Sequence, residues 1–497
     1  MRVLVTGGTG VVGTATVGAL VDAGHTVRVL SRHARKDSRR WPEGVESWPG
    51  NVADAGSIRG AADGCAVVLH LAAIVDETPP EATFERVNVE GTRHVLDETL
   101  RAGRARVVFA SSLGVDEDES PYHRSKLAGE ELVRAYPGRW TIVRPGNVFG
   151  PGDEQISLLL RMVRTLPAVP VIGGGDQPIQ PIWHEDLARA LVRVVERDDL
   201  DRRVLELAGD DVTSQNDLID RLARVTDRSV ARVPLPQLLA SAGMKALGVV
   251  GVDIPFGDSQ VAMLQAGNRI APGRTNDLTA TLGVEATPLD EGLERLADVQ
   301  AEQLPVSGIG AMKRKRFRAD IRDSRLTPDQ LFEHLRTHFD EVMPGMLRVG
   351  AEPDTSCVIE HGETLTLSLP LRGHIQVRVA EAANRTITLL TLEGHPLAGA
   401  VRFLVEDRGA CVRFEVQVFD RAANVVDLLA MRTVGDFLQN RSWEALVENM
   451  VQASGGTAAE GVETETESLD DAQAERIQGW LEELVVELRR EERRAHS

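Results

Sequence analysis

Tyr122 and Lys126 are the residues of this 497-residue chain best suited to move a proton: a phenol and an ammonium four positions apart, which a helix sets on one face. A phenol ionises near pH 10 and is a poor base at neutral pH. An adjacent ammonium favours the phenolate and draws proton transfer towards the working range. The chain has two tyrosines, Tyr122 and Tyr136, and its lysines are Lys36, Lys126, Lys245, Lys313 and Lys315, arginine supplying the rest of the positive charge. With lysine that scarce, a given tyrosine meets a lysine four residues on by chance about one time in a hundred.

A second constellation opens the chain. Val3-Leu4-Val5-Thr6-Gly7-Gly8-Thr9-Gly10-Val11-Val12-Gly13 reads as a buried strand breaking into a glycine turn and then a helix. That arrangement aims backbone N–H groups at a pyrophosphate. Gly7 permits the turn, Gly10 lets the backbone approach the phosphates, Gly13 lets the helix pack on the sheet, and Val11 and Val12 open the helix between them.

The elements that must position these groups follow from periodicity. Residues 1 to about 150 alternate apolar runs with amphipathic segments, the rhythm of a parallel sheet covered on both faces. Val3–Thr6, Val27–Ser31, Val67–Ala72, Arg106–Ser111 and Trp140–Arg144 are the expected strands, with helices over Gly13–Ala23 and Glu90–Ala102. Right-handed crossovers make this a doubly wound α/β fold of Rossmann type, with ligands at the carboxyl ends of the strands.

These motifs, with His70-Leu71-Ala72-Ala73, Asn88-Val89-Glu90-Gly91-Thr92, Ser111-Ser112 and Arg144-Pro145-Gly146-Asn147-Val148-Phe149-Gly150-Pro151-Gly152 in the same order, resemble an extended short-chain dehydrogenase/reductase of the NAD(P)-dependent epimerase/dehydratase type over residues 1 to about 300. The resemblance implies Ser112, Tyr122 and Lys126 as catalytic residues. Ser112 would bind the substrate oxygen, and Lys126 the nicotinamide ribose. It adds Asn51, Val52, Leu71, Ala72, Ala73, Asn88, Pro145, Asn147 and Val148 to the cofactor contacts, with Asn51 standing where the family usually has aspartate. Ser31 ends the second strand where NAD-specific relatives carry an acid, and Arg32, Arg35 and Lys36 follow; an arginine there suits a 2′-phosphate, so NADP is expected ahead of NAD. Asp186, in Ile182-Trp183-His184-Glu185-Asp186, is expected to cap a helix. Gly114-Val115-Asp116 replaces the family's usual Tyr-Gly.

The expected activity is hydride transfer between NADP(H) and a carbonyl or carbinol carbon. Two alternatives stay open. One is a sugar-nucleotide epimerase or dehydratase with tightly held cofactor. The other is a non-catalytic NADP(H)-binding assembly or sensor protein similar to an accessory subunit of respiratory complex I, which Arg274-Thr275-Asn276-Asp277-Leu278 to Leu282-Gly283-Val284 resembles.

Beyond residue 303 the character changes. Leu304–Met312 reads as a linker. Thr327-Pro328-Asp329 is a helix start, followed by period-two runs such as Ile375, Val377, Val379 and Val412, Phe414, Val416, Val418, and then a helix over Val434–Val451. Helix, antiparallel sheet and closing helix over residues 313–453 resemble an α+β helix-grip domain of the START-like group, which implies a hydrophobic ligand. Residues 454–471 read as an acidic tether and 472–497 as a C-terminal amphipathic helix with Ile477, Trp480, Leu481, Leu484 and Leu488 on one side.

A formal charge of -19 and a pI near 5.2 argue against nucleic acid. Cys65, Cys357 and Cys411 show no CxxC spacing, so neither a disulfide framework nor a metal site is expected. No signal peptide or membrane span is read; Leu235–Pro255, interrupted by Lys245 and Asp253, is expected to be a helix pair and loop of the substrate lobe. A cytoplasmic protein with a small-molecule substrate is the expectation, with a homo-oligomer left open.

Overall fold

Val3, Leu4 and Val5 are excluded from solvent on both faces of their strand, as a sheet sandwiched between helices requires. The computed structural model describes residues 1–38, 41–117, 120–153, 155–165, 168–172, 174–226, 228–235, 268–298, 302–344, 348–349, 358–369, 373–423 and 436–495. The helix pair expected within Leu235–Pro255 lies, beyond Leu235, outside the described residues. The chain divides into two units, Met1–Val299 and Gln300–Ser497.

The first unit is a Rossmann-type α/β fold. Among the described residues it holds β1 (Arg2–Thr6), α1 (Val11–Asp22), β2 (Thr26–Ser31), β3 (Glu46–Pro49), β4 (Val67–His70), α2 (Glu90–Arg101), β5 (Arg106–Ala110), α3 (Pro121–Ala135), β6 (Trp140–Pro145), α4 (His184–Glu196) and β7 (Arg203–Leu207). The strands form one seven-stranded sheet in the order β7-β6-β5-β4-β1-β2-β3, every pair parallel. The order reverses beside β1, which opens a crevice at the carboxyl ends of β1 and β4. β4 ends at His70, two residues short of the expected Ala72, because the Leu71 and Ala72 amides turn back to the Thr6 carbonyl and hydroxyl. β3 and β7 escaped the sequence reading: Glu46-Ser47-Trp48-Pro49 is short and only half-buried, and Arg203-Val204-Leu205-Glu206-Leu207 carries charge at a sheet edge.

Asp186 is not the expected cap. It lies inside the first turn of α4, fully buried, and its carboxylate accepts the Thr287 N–H at 2.6 Å and hydroxyl at 2.9 Å. A partner 101 residues away outweighs the local capping rule.

The second unit has an antiparallel sheet with helices on both faces. Its elements are β8 (Ile309–Arg322), α5 (Pro328–Thr337), β9 (Arg348–Val349), β10 (Thr364–Leu369), β11 (Gly373–Ala383), β12 (Thr386–Thr391), β13 (Leu397–Asp407), β14 (Val412–Ala422), α6 (Asp436–Ser454), β15 (Thr457–Ala458), β16 (Glu463–Ser468) and α7 (Asp471–Ala495). Thr327 and Gln330 close a reciprocal capping box at the start of α5. Period-two alternation sends Phe414, Val416 and Val418 of β14 to one face, against Leu446, Val447 and Met450 of α6, while Phe419 points to the other. There α7 lays Trp480 and Leu481 over Phe419, Leu390 and Ala400.

Two expected boundaries are corrected. Leu304–Met312 is not a free linker: Pro305–Ser307 is a 3-10 turn, β8 begins at Ile309, and the Gln303 N–H already bonds the Thr391 carbonyl at 2.7 Å. The acidic tether contains an edge strand, β16, whose Glu463, Glu465 and Glu467 pair with Arg318, Arg316 and Arg314 of β8. Local composition reads as disorder; the complementary arginines lie about 150 residues earlier, with Glu467 and Arg314 separated by 153.

Candidate active site

The parallel order gathers the sequence-predicted residues along one end of the sheet. Gly7 to Gly13 follow β1, Ser31 and Arg32 end β2, Asn51 and Val52 follow β3, and Leu71, Ala72 and Ala73 follow β4. Ser112 follows β5, Tyr122 and Lys126 lie on α3, and Pro145, Asn147 and Val148 end and follow β6.

The glycine turn is built by exclusion. Gly7 has φ +73°, and a Cβ there would meet the Ala72 N at 2.7 Å; at Gly13 it would meet the Gly7 carbonyl at 2.1 Å. Gly10 differs. A Cβ there would have only the Gly7 oxygen, at 3.8 Å, for a neighbour, and Gly10 caps α1 with no side-chain hydrogen bond and no acidic residue in the first turn. The helix N-terminus therefore presents backbone N–H groups, with the positive end of its dipole, to open space.

At the end of β2 the Ser31 hydroxyl donates to the Asp37 carboxylate and accepts the His33 N–H at 3.1 Å, while Arg32 is exposed. Asp37, 8% exposed, is a residue the sequence reading passed over. Asn51 uses Oδ1 to accept the Ala53 N–H at 3.1 Å. Val52 is turned into the core against Gly91, with its carbonyl bound by His94 Nδ1 at 2.9 Å. Asn147 bonds Gln155 through Nδ2 at 2.6 Å, Val148 pairs with Ile182, and the Pro145 carbonyl accepts the Leu113 N–H at 2.9 Å.

Tyr122 stands in the first turn of α3, started by Ser120, whose hydroxyl accepts the His123 N–H, and by Pro121 at the first helical position. Burial pushes the phenol up to about 12, against the opposing influence of Ser112. Lys126, one turn on, is 3% exposed; burial brings its ammonium down to about 8, against the opposing pull of Glu130. Asn88 ties this helix to the strand side: it clasps the Ile74 backbone at both ends of its amide, 2.9 and 3.0 Å, and donates to Ser125 Oγ at 2.9 Å, while Ser125 donates to the Tyr122 carbonyl at 2.7 Å.

His70 is 1% exposed, its Nδ1 2.6 Å from the Thr6 hydroxyl and its Nε2 3.1 Å from that of Thr92. Burial, with Lys126 adding repulsion, lowers it to about 3. It braces β1 against α2 as a neutral ring.

The sequence reading missed the ionic frame beneath this site. Arg144 holds Glu130 of α3 through Nε at 2.7 Å and Nη2 at 2.9 Å, and Asp116 through Nη1 at 2.8 Å and Nη2 at 3.0 Å. Burial alone would raise the Glu130 carboxyl, but its arginine partners bring it below the usual range, and Arg144 lowers Asp116 likewise. Glu130 four residues after Lys126 was the available signal; its partner Arg144 lies on β6.

Residues 3–208 match the NAD dependent epimerase/dehydratase family. The chain is 35% identical over 191 residues to a protein named ceramide reductase from Caulobacter vibrioides, covering 38% of this chain and 59% of that one. It is 34% identical over 185 residues to sterol demethylase protein B of Methylococcus capsulatus, covering 33% and 56%. The matched stretch thus spans less than two thirds of either relative. Among solved structures, the Thermus thermophilus UDP-glucose 4-epimerase complex with NAD aligns with a TM-score of 0.48 at 22% identity, covering 60% of this chain and 98% of that one. No helix among the described residues is long and apolar enough to cross a membrane.

Proposed function

We propose that the first unit is an NADP(H)-dependent oxidoreductase acting on a carbonyl or carbinol carbon. The observation that carries this reading is Tyr122, whose phenol feels the lowering influence of Ser112, one turn from a buried Lys126, at the strand ends that also bear the glycine turn. The turn fits a dinucleotide: its N–H groups are uncapped, and the space above Gly10 would be filled by any side chain. A nicotinamide dinucleotide supplies or accepts the hydride when bound.

The chain's own residues do the rest. Gly10, Val11 and Val12 hold the pyrophosphate through their backbone. Ser112 orients the substrate oxygen, and Tyr122 gives it a proton in reduction or takes one in oxidation. A phenol near 12 stays protonated at neutral pH but is a weak acid, and the Lys126 ammonium one turn on would favour the phenolate as the proton moves. For the finer choice of cofactor, exposed Arg32 at the end of β2 favours the 2′-phosphate, while the Asp37 carboxylate is engaged by Ser31.

The names of the relatives direct the first substrates to test. NADPH consumption is followed by absorbance with oxidised ceramide, sterol ketones and 3-ketosteroids, beside short-chain aldehydes and a UDP-sugar. Consumption with any ketone, lost in Tyr122→Phe, supports the reading. Interconversion of the UDP-sugar without net cofactor consumption would replace it with the epimerase alternative, and cofactor binding with no turnover on any of them would favour the sensor alternative. For the second unit we propose a helix-grip module that takes an apolar ligand between its sheet and α6, tested by titration with a fluorescent fatty acid; no binding would leave Phe414, Val416 and Val418 a packed core and the unit an interaction module.

A further inference from the structure

A further arginine, Arg274, touches the ionic frame through Asp116. Arg274 opens Arg274-Thr275-Asn276-Asp277, the run that closes the free edge of β7. Asp277 Oδ2 accepts the Glu206 N–H at 3.0 Å, Asn276 Oδ1 accepts the Ala208 N–H at 3.3 Å, and Asn276 Nδ2 donates to the Ala208 carbonyl at 2.8 Å. Those bonds dock the run without help from Arg274, whose side chain is 54% exposed. An ion pair so exposed contributes little to stability.

The positions of its partners suggest another role. Arg274 Nη1 binds Glu206 Oε1 and lies 3.5 Å from Asp116 Oδ2. Arg144 Nη1 is 2.8 Å from Asp116 and 3.8 Å from Glu206. Two carboxylates therefore face one guanidinium edge, and the Glu206 side chain is only 12% exposed. Deprived of Arg274, Glu206 would be a poorly hydrated carboxylate with Arg144 within reach. Arg144 satisfies it by turning away from Asp116. Asp116 sits in the short turn Val115–Glu117, three residues past Leu113 and four past Ser112, so releasing it loosens the segment that carries the serine.

We propose that Arg274 is a positioning residue for Ser112: by engaging Glu206 it keeps Arg144 on Asp116, and Asp116 fixes the turn that follows the serine. The catalytic consequence rests on the oxidoreductase reading; the mechanical one does not.

Hydrogen exchange by mass spectrometry on the full chain, without cofactor, tests the mechanical part. Arg274→Ala should speed exchange across residues 111–117 by about threefold or more, the scale expected of coupled charged contacts. Arg274→Ala with Glu206→Gln should return it to the wild-type rate, because the competing carboxylate is gone. On a substrate found as above, Arg274→Ala should lower kcat while cofactor affinity holds, and the double variant should recover kcat. Unchanged exchange in Arg274→Ala, or no recovery in the double variant, overturns the proposal. Should Arg274→Ala fail to fold, Asp116→Asn must loosen 111–117 by itself, and wild-type exchange there also overturns it. Absence of turnover in every protein, with the exchange pattern as expected, counts against the oxidoreductase reading alone.

Discussion

The Lys126 ammonium lies 4.6 Å from the centroid of the Phe109 ring, a β5 side chain that forms the floor under α3. This cation–π contact repays only part of the cost of burying the charge, and burial lowers the ammonium from 10.5 to about 8.

The sign of that shift makes a stability prediction. Between about pH 8 and 10.5 the unfolded chain holds a proton on Lys126 that the folded chain has released, so this residue's contribution makes stability rise with pH across that window. Below it the penalty is complete, on the order of 3 kcal/mol. Lys126→Met should therefore unfold at higher denaturant than wild type at pH 7 and lose this advantage near pH 10.5, while binding cofactor poorly. Equal midpoints at pH 7 would show that the ammonium is not paying a burial penalty.

Tyr122→Phe keeps the ring against Phe84, whose centroid is 6.3 Å away, and removes the transferable proton. Turnover should fall by about 10²–10⁴-fold with cofactor affinity unchanged, the usual scale for a general acid or base. Steady-state rates paired with cofactor titration separate the two effects. A variant as active as wild type would remove Tyr122 from the mechanism.

His70 predicts acid sensitivity. Its folded value near 3 lies below the ordinary 6.5, so its contribution is fully present above about pH 6.5 and is lost as pH falls towards 3. His70→Asn, which can still bond Thr6 and Thr92, should flatten the decline in melting temperature between pH 6.5 and 4. A decline as steep as that of the wild type would assign it to other groups.

Arg32→Ala should weaken NADPH by about 10- to 100-fold, the loss of a charge-assisted phosphate contact, and leave NADH unchanged. Calorimetry with both cofactors decides it. Equal loss for both, or NADH the tighter ligand of the wild type, would reverse the cofactor preference.

Sequence determined the parts of this protein whose physics is local. An all-apolar run followed by Gly7, Gly10 and Gly13 can scarcely be anything but a buried strand, a tight turn and a closely packed helix, and five predicted strands appear within two residues of their expected ends. Tyr122 and Lys126 share a helix face by spacing alone. Tertiary structure decided what depends on distant partners. Asp186 gave up a local cap for Thr287, an acidic tether became β16 because Arg314, Arg316 and Arg318 lie opposite it, and Arg144 joined Asp116 to Glu130. Charge pairing is set by three-dimensional proximity and burial, neither of which has a period along the chain, whereas apolar faces and glycine turns do.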